Sequence, residues 1–165
     1  MQIALEPGKE GDIIRYTTDQ SIPTQSSKKY TGKIRINKTT MLTARCFDEK
    51  GNAGVPVSQT YLALATNART FSSNLPVVVI ENFRGGGIPP DPYKKAHMSI
   101  YEPGEDGRTR LTNDPTLDTR VGIKIRGSSS LNRAKKAFTV EARDAFGEDK
   151  DISPLGLPED SDWIL

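Results

Sequence analysis

A serine-containing turn with basic residues on both sides is the part of the sequence best suited to chemistry. It begins with Arg126-Gly-Ser-Ser-Ser130 and ends at the lysine pair Lys135-Lys136. Backbone amides and hydroxyls in such a turn can donate hydrogen bonds to phosphate oxygens, while long cationic side chains neutralise the negative charge. The pattern indicates a polyanion-binding turn. Its candidate phosphate contacts are Arg126, Ser128, Ser129, Lys135 and Lys136.

The charges around this turn are segregated along the chain. Residues 120–143 contain seven basic side chains and one acid, Glu141, whereas residues 144–162 contain seven acids and one base, Lys150. A basic run beside an acidic run can be neutralised by it, and runs of charge usually serve solubility. A solvated, self-neutralising surface is therefore the alternative to a phosphate site.

The composition excludes several other classes of function. The 165 residues carry 23 Lys+Arg against 21 Asp+Glu, a net charge of +2, which is too close to neutral for a dedicated nucleic-acid-binding protein. A single cysteine and a single histidine cannot form a zinc site or an internal disulfide. His97 lies in an apolar segment, so we expect a packed histidine there and assign no catalytic or metal-binding residue. No segment approaches the roughly 18 apolar residues of a membrane span.

The elements that must position the turn are short strands. Fourteen glycines and eleven prolines leave little room for long helices. Apolar residues alternate with polar ones in several segments, and both composition and charge change near residue 65. We predict a small antiparallel β-sandwich at residues 1–64, a polar linker at 65–74 and an antiparallel β-rich region at 75–165. The predicted strands are 12–17, 33–36, 41–47 and 55–64, followed by 75–82, 96–101, 119–126 and 137–143.

The third strand of the second region has a clear two-residue period. Val121, Ile123 and Ile125 alternate with Arg120, Gly122, Lys124 and Arg126. Successive side chains of a strand point to opposite faces, so the pattern predicts a sheet with one buried face and one hydrated, basic face.

The first region also resembles a known family. Ile14-Arg-Tyr-Thr-Thr-Asp19, Tyr30, Gly32 and Leu42-Thr-Ala-Arg-Cys-Phe47 are similar to the fibronectin-III-associated, chitobiase C-terminal type of β-sandwich. The sequence departs from this family at Gln20, where glycine is usual in the turn. Such modules are accessory units of secreted bacterial enzymes, so the resemblance implies an extracytoplasmic, cell-surface location and no catalytic residue.

The second region resembles the opening of the CotH-like family of atypical protein kinases. Four blocks carry the resemblance: Leu75-Pro-Val-Val-Val-Ile80, Arg120-Val-Gly-Ile-Lys-Ile-Arg-Gly-Ser-Ser-Ser130, Lys135-Lys-Ala-Phe-Thr-Val-Glu141 and Leu155-Gly-Leu-Pro-Glu-Asp-Ser-Asp-Trp163. It implies part of a kinase-like N-lobe at residues 75–165, with the basic turn beside the nucleotide phosphates. The family's sequence continues with a helix, so the chain is expected to be a fragment of a larger parent. ATP and Mg²⁺ would belong to that full-length parent only, because the metal-holding carboxylates of phosphoryl transfer lie in a second lobe.

Two functions are left open by these patterns. The leading hypothesis is a piece of a larger bacterial extracytoplasmic protein, a sandwich module joined to a partial CotH-like domain that is inactive alone. Its partners would be the remainder of the polypeptide and a protein substrate or cell-surface glycan, with no nucleic acid. The alternative is a non-enzymatic structural or glycan-binding β module. Its candidate sugar-stacking residues are Tyr16, Tyr30, Tyr61 and Tyr93, although tyrosines in small sandwiches more often belong to the core.

Overall fold

The chain folds into two compact units made of antiparallel strands. The computed structural model describes residues 1–127 and 134–165, and the units are Met1–Ala63 and Leu64–Leu165. The helices of the described residues are short, namely α1 at Thr66–Arg69 and a 3₁₀ turn at Pro154–Gly156. The predicted mainly β, antiparallel fold is confirmed. No helix within the described ranges has the length and hydrophobicity needed to cross a bilayer.

The first unit contains two sheets. Its strands are β1 (Gln2–Ile3), β2 (Ile13–Thr17), β3 (Lys28–Lys29), β4 (Ile34–Arg35), β5 (Thr40–Phe47) and β6 (Val57–Tyr61). β1 pairs with β4, and the other four strands form a sheet in the order β3-β2-β5-β6. The alternation in β2 and β5 sets their register, in which Ile14 lies opposite Cys46 and Tyr16 opposite Ala44.

The core of the first unit lies between residues of both sheets. Ile34, Ile36 and Leu42 are buried, and partly buried apolar side chains surround them. The surrounding side chains are Ile3, Leu5, Tyr16, Tyr30 and Tyr61. The hydroxyl of Tyr30 accepts a hydrogen bond from the backbone N–H of Leu5 at 3.1 Å, which fixes that ring against the core.

The turn after β2 is strained at Gln20. Its φ is +69°, in the left-handed region that glycine tolerates and other residues enter at a cost. Its side-chain Oε1 is also buried and has no hydrogen-bond partner among the described residues. The turn has therefore kept the geometry expected for a glycine although the sequence places glutamine there.

The second unit is one five-stranded sheet with packed connections. Its strands are β7 (Val77–Glu81), β8 (Lys94–Tyr101), β9 (Leu117–Arg126), β10 (Ala137–Arg143) and β11 (Asp162–Ile164), in the order β11-β10-β9-β8-β7. Residues 65–74, predicted to be a linker, contain α1 and end in a segment where Ser73 bridges Thr109.

The two faces of this sheet differ in polarity as the alternation predicts, but the predicted hydrated face includes the buried residues His97 and Ser99. Val121 and Ile123 of β9 lie opposite Ala142 and Val140 of β10, and all four are buried. The core of this face consists of Ala96, Met98, Ile100, Val121, Ile123, Val140, Ala142 and Ile152. The opposite face carries the charged residues of the same strands.

Candidate functional site

The connection between β9 and β10 carries the cations predicted to contact phosphate. β9 ends at Arg126, which lies opposite Ala137 at the start of β10. Arg126 therefore stands on one arm of this connection, and Lys135 and Lys136 on the other, with all three exposed. Ser128 and Ser129, the predicted hydroxyl donors, lie outside the described residues.

The acidic run does not neutralise the two lysines. Among the described residues, neither Lys135 nor Lys136 forms an ion pair with a carboxylate of residues 144–162. The carboxylate of Asp144 instead accepts hydrogen bonds from the backbone N–H groups of Phe146, at 2.7 Å, and Glu148, at 3.0 Å.

Farther from the turn, the polar face of the second unit's sheet holds two cations that already contact other side chains. Arg143 pairs with Glu141 at 2.5 Å, and the ammonium of Lys124 lies 3.5 Å from Asp91. Both cations also flank the ring of Tyr93, with 4.3 Å from Lys124 Nζ and 5.5 Å from Arg143 Cζ to the ring centroid. Burial, and next the negative charge of Glu141, raise the pKa of Tyr93. This mixed network fills the face and leaves Tyr93 engaged by cations.

Gly122 permits the closest part of this packing. A Cβ at that position would lie 3.0 Å from Arg143 Nε and 3.1 Å from one of its terminal nitrogens. The glycine in an otherwise alternating strand thus lets the guanidinium of Arg143 lie on the sheet, which sequence periodicity alone did not reveal.

His97 is a packed residue, as its apolar surroundings predict. It is 5% exposed, and its Nε2 lies 2.6 Å from Asp118 Oδ1. The hydroxyl of Ser99 donates to the same carboxylate oxygen at 2.7 Å. Burial would raise the pKa of Asp118, but the hydrogen bonds from His97 and Ser99 outweigh it, so the pKa is lowered. Because Ser99 donates to the carboxylate and not to the imidazole, the histidine does not activate the serine as a nucleophile.

The glycine-rich connection after β7 is held by its carbonyl groups. The ammonium of Lys94 donates to the carbonyl oxygens of Gly85 and Gly87, and the Asn82 amide donates to Gly86 O at 2.7 Å. A phosphate loop requires backbone N–H groups directed at the ligand. In this connection the glycine carbonyl groups accept hydrogen bonds from a lysine and an asparagine side chain, which is not the contact pattern of a phosphate loop.

In the first unit, a depression lies beside Tyr16. It has a volume of about 250 Å³ and is lined in part by Tyr16, Lys28, Arg35, Asn37 and Lys38. The Lys28 ammonium lies 5.5 Å from the centroid of the Tyr16 ring. Sequence reasoning named Tyr16 but missed the three cations around it, because they come from β3, β4 and the residues after β4, and their proximity depends on strand pairing.

The tyrosines named as sugar-stacking candidates have different environments. Tyr30 and Tyr61 pack against the core of the first unit, and Tyr93 is held between Lys124 and Arg143. Tyr16 also packs against the core, but it lines the depression as well. Tyr30 lines a separate depression of about 330 Å³ together with Leu5 and Lys29. Both Tyr16 and Tyr30 therefore line surface depressions, and Tyr16 is the one that shares its depression with three cations.

Comparison with known proteins finds a similarity for the first unit. Residues 1–61 match the family model of the chitobiase/beta-hexosaminidase C-terminal domain. The match covers nearly all of the unit Met1–Ala63 and supports the sandwich resemblance seen in the sequence. No curated protein and no solved structure matches the chain. The CotH-like resemblance of residues 75–165 has no support from these comparisons and stays a prediction.

Proposed function

We propose that this chain is a non-catalytic part of a larger extracytoplasmic protein that acts on or holds carbohydrate, with residues 1–63 as its accessory β-sandwich. The observation that carries the proposal is the match of residues 1–61 to the chitobiase/beta-hexosaminidase C-terminal domain. The name of that domain places it at the C-terminus of chitobiase and beta-hexosaminidase. The larger part of the parent would supply any catalytic residues.

The geometry of the sandwich agrees with an accessory role. Its lined depression joins an aromatic ring to several polar and cationic side chains on the surface. Sugar-contacting sites combine an aromatic face with side chains that hydrogen-bond hydroxyl groups. In the described residues of both units, no serine, histidine and carboxylate are arranged as a nucleophile with its base, since Ser99 contacts Asp118.

Retention of the chain on carbohydrate tests this proposal. We expect slower migration of the 165-residue protein in native gels that contain a soluble polysaccharide, across a panel of neutral, amino-sugar and acidic polymers. The matched control is bovine serum albumin, which should migrate equally in all gels. Migration of the chain that no polymer alters would overturn the proposal.

A second candidate function is binding of nucleotide phosphates by the basic turn, as expected for a CotH-like kinase whose full-length form uses ATP and Mg²⁺. The observation that favours it is the placement of Arg126, Lys135 and Lys136 on the two arms of one connection, where the acidic run leaves both lysines unpaired. Without the metal ions that normally bridge the phosphates, affinity should be about millimolar, near 4 kcal/mol.

Titration with ATP or pyrophosphate, followed by amide chemical shifts, decides this second function. We expect shifts at residues 126 and 135–136 that disappear in Lys135→Ala and Lys136→Ala. Lys150→Ala is the matched control, because it removes an exposed lysine of the acidic run and should leave the shifts unchanged. An unperturbed turn at several millimolar ligand would leave the basic residues with a purely structural role.

A further inference from the structure

Two depressions on the sandwich unit share lining residues, and together they are called the groove. The first has a volume of about 250 Å³ and the second about 400 Å³. They share Tyr16, Thr18 and Lys28 as lining residues, so the two volumes meet beside the Tyr16 ring. A groove of two depressions suits a chain of linked units better than a single small molecule.

The two ends of this groove differ in chemistry. Lys28, Arg35 and Lys38 line the first depression, and no carboxylate is among its lining residues. The second depression is lined mainly by hydroxyl groups. Its one acid, Asp19, accepts hydrogen bonds from the backbone N–H and the hydroxyl of Ser21, so this carboxylate is engaged in its own turn.

The three cations of the first depression are exposed and have no acidic partner. Within residues 1–127 and 134–165, none of Lys28, Arg35 and Lys38 forms an ion pair. Two cations of the polar face in the second unit differ in this respect, since Arg143 pairs with Glu141 and Lys124 with Asp91. Three unpaired cations around one depression attract a ligand that carries repeated negative charges.

The aromatic ring defines the kind of anion. Tyr16 is half-buried, and its ring packs against Ile34, Ile36 and Leu42 while bordering the groove. A rigid ring backed by the core offers an apolar face at little entropic cost, and the ring of a sugar can lie against such a face. A ligand that satisfies both the ring and the cations is a sugar chain that bears acidic groups.

We propose that this groove binds an acidic polysaccharide. Its carboxylate or sulfate groups pair with Lys28, Arg35 and Lys38 in the first depression, and a sugar ring lies against Tyr16. The hydroxyl groups of the second depression hydrogen-bond the neighbouring sugar unit. This inference rests on the proposed carbohydrate function and adds the site and the charge class of the glycan.

Affinity gel electrophoresis of the full chain tests the site with three polymers. The probes are polygalacturonate for carboxylates, heparin for sulfates and hydroxyethyl cellulose as a neutral chain. We expect retardation by an acidic polymer that weakens as salt rises from 50 to 300 mM, because exposed charges are screened beyond roughly 10 Å at 0.1 M salt. The double variant Lys28→Ala/Lys38→Ala should bind about tenfold more weakly, because it removes two of the three cations that line the first depression.

The control variant removes the same charge elsewhere on the same unit. Lys9→Ala/Lys50→Ala changes two exposed lysines that do not line the groove, and its affinity should stay within about twofold of the original. Tyr16→Leu keeps an apolar side chain against the core and should still weaken binding severalfold. Circular dichroism melting of each variant separates loss of binding from loss of folding.

The outcomes separate this inference from the function on which it rests. Stronger retardation by polygalacturonate than by heparin identifies carboxylates as the recognised groups, and the reverse order identifies sulfates. Equal losses for the groove and control variants would overturn the groove as the site. Binding of neutral polymer alone would overturn the acidic ligand while leaving the carbohydrate function standing. Retardation by no polymer would overturn both.

Discussion

The cations beside Tyr16 in the first unit and those beside Tyr93 in the second unit have different partners. In the first unit, the cations beside Tyr16 stay exposed, and burial of apolar residues between two sheets holds the fold. In the second unit, one face of the sheet forms the core, and the other face holds charged residues in contact with each other, such as Arg143 with Glu141. Among the described residues, the cations beside Tyr16 therefore lack an acidic partner, whereas Arg143 and Lys124 beside Tyr93 each have one.

The sheet of the second unit shows how long cations can pack on a face outside the apolar core. One face of this sheet lies outside the apolar core. Long cations can lie across that face where a small residue leaves room, as Gly122 does for Arg143. On this face Arg143 pairs with Glu141 and Lys124 with Asp91.

Core truncation should have the largest effect and tests whether the two units are independent. Leu42, in the first unit, is 3% exposed, and Met98, in the second, is 2% exposed. Leu42→Ala should destabilise residues 1–63 by about 3 kcal/mol and Met98→Ala should destabilise residues 64–165 by a similar amount, because each leaves a cavity. Amide hydrogen exchange of the full chain reports both values separately.

Each variant serves as the control for the other. We expect exchange protection to fall in the unit that carries the substitution and to stay unchanged in the other unit. A small unit has little stability to lose, so complete loss of protection in residues 1–63 alone would agree with the prediction. Loss of protection in both units from either substitution would mean that they share one core.

Removal of the Asp118 carboxylate should have the next largest effect, confined to the second unit. Asp118→Ala leaves His97 Nε2 and Ser99 Oγ without an acceptor, and both residues are at most 5% exposed. Two buried donors without a partner cost about 3 kcal/mol together. Urea denaturation followed by Trp163 fluorescence measures the loss. Asp118→Asn keeps an acceptor oxygen and should lose clearly less, whereas equal losses would argue against hydrogen bonding as the cause.

Much of the fold could be predicted from residue patterns, and the exceptions have a physical cause. β9 and β10 alternate over 7 or more residues, and their predicted bounds lie within two residues of the observed ones. β1, β3 and β11 span 2 or 3 residues, too few to show a period. The strand predicted at 75–82 is Val77–Glu81 in the structure, and the strand predicted at 96–101 is Lys94–Tyr101. The bounds differ because backbone pairing rather than hydrophobicity determines where a strand ends.

The candidate sites show the same limit. Arg126, Lys135 and Lys136 are near in sequence, so a hairpin brings them to one connection and the sequence alone predicted their grouping. The His97–Asp118 contact joins residues 21 positions apart, and it depends on the register of β8 with β9. Non-local contacts of this kind cannot be predicted from composition or local periodicity.

The pH dependence of stability should sharpen the comparison further. The pKa of Asp118 is lowered in the fold, while an unfolded aspartate titrates near pH 3.9. The folded chain therefore holds this carboxylate ionised more strongly, and the contribution is fully present above about pH 4 and is lost as pH falls through the lower folded pKa. Melting of the second unit between pH 5 and 2 should fall less steeply in Asp118→Asn than in the original chain. Parallel curves would show that other carboxylates, such as Asp144, whose pKa is also lowered, account for the dependence.

The smallest predicted effect is a gain in stability at the strained turn of the first unit. Gln20 has a φ of +69° and a buried Oε1 without a partner in the described chain. Gln20→Gly removes both costs but adds conformational entropy to the unfolded chain, so the net gain should be about 1 kcal/mol. Hydrogen exchange of residues 1–63 measures it. Gln20→Ala removes the unpartnered oxygen and retains the left-handed strain, so a gain for glycine and a smaller one for alanine identifies the backbone as the main cost. Equal gains would instead assign the cost to the buried amide, and a loss for glycine would show that the Gln20 side chain packs favourably despite its geometry.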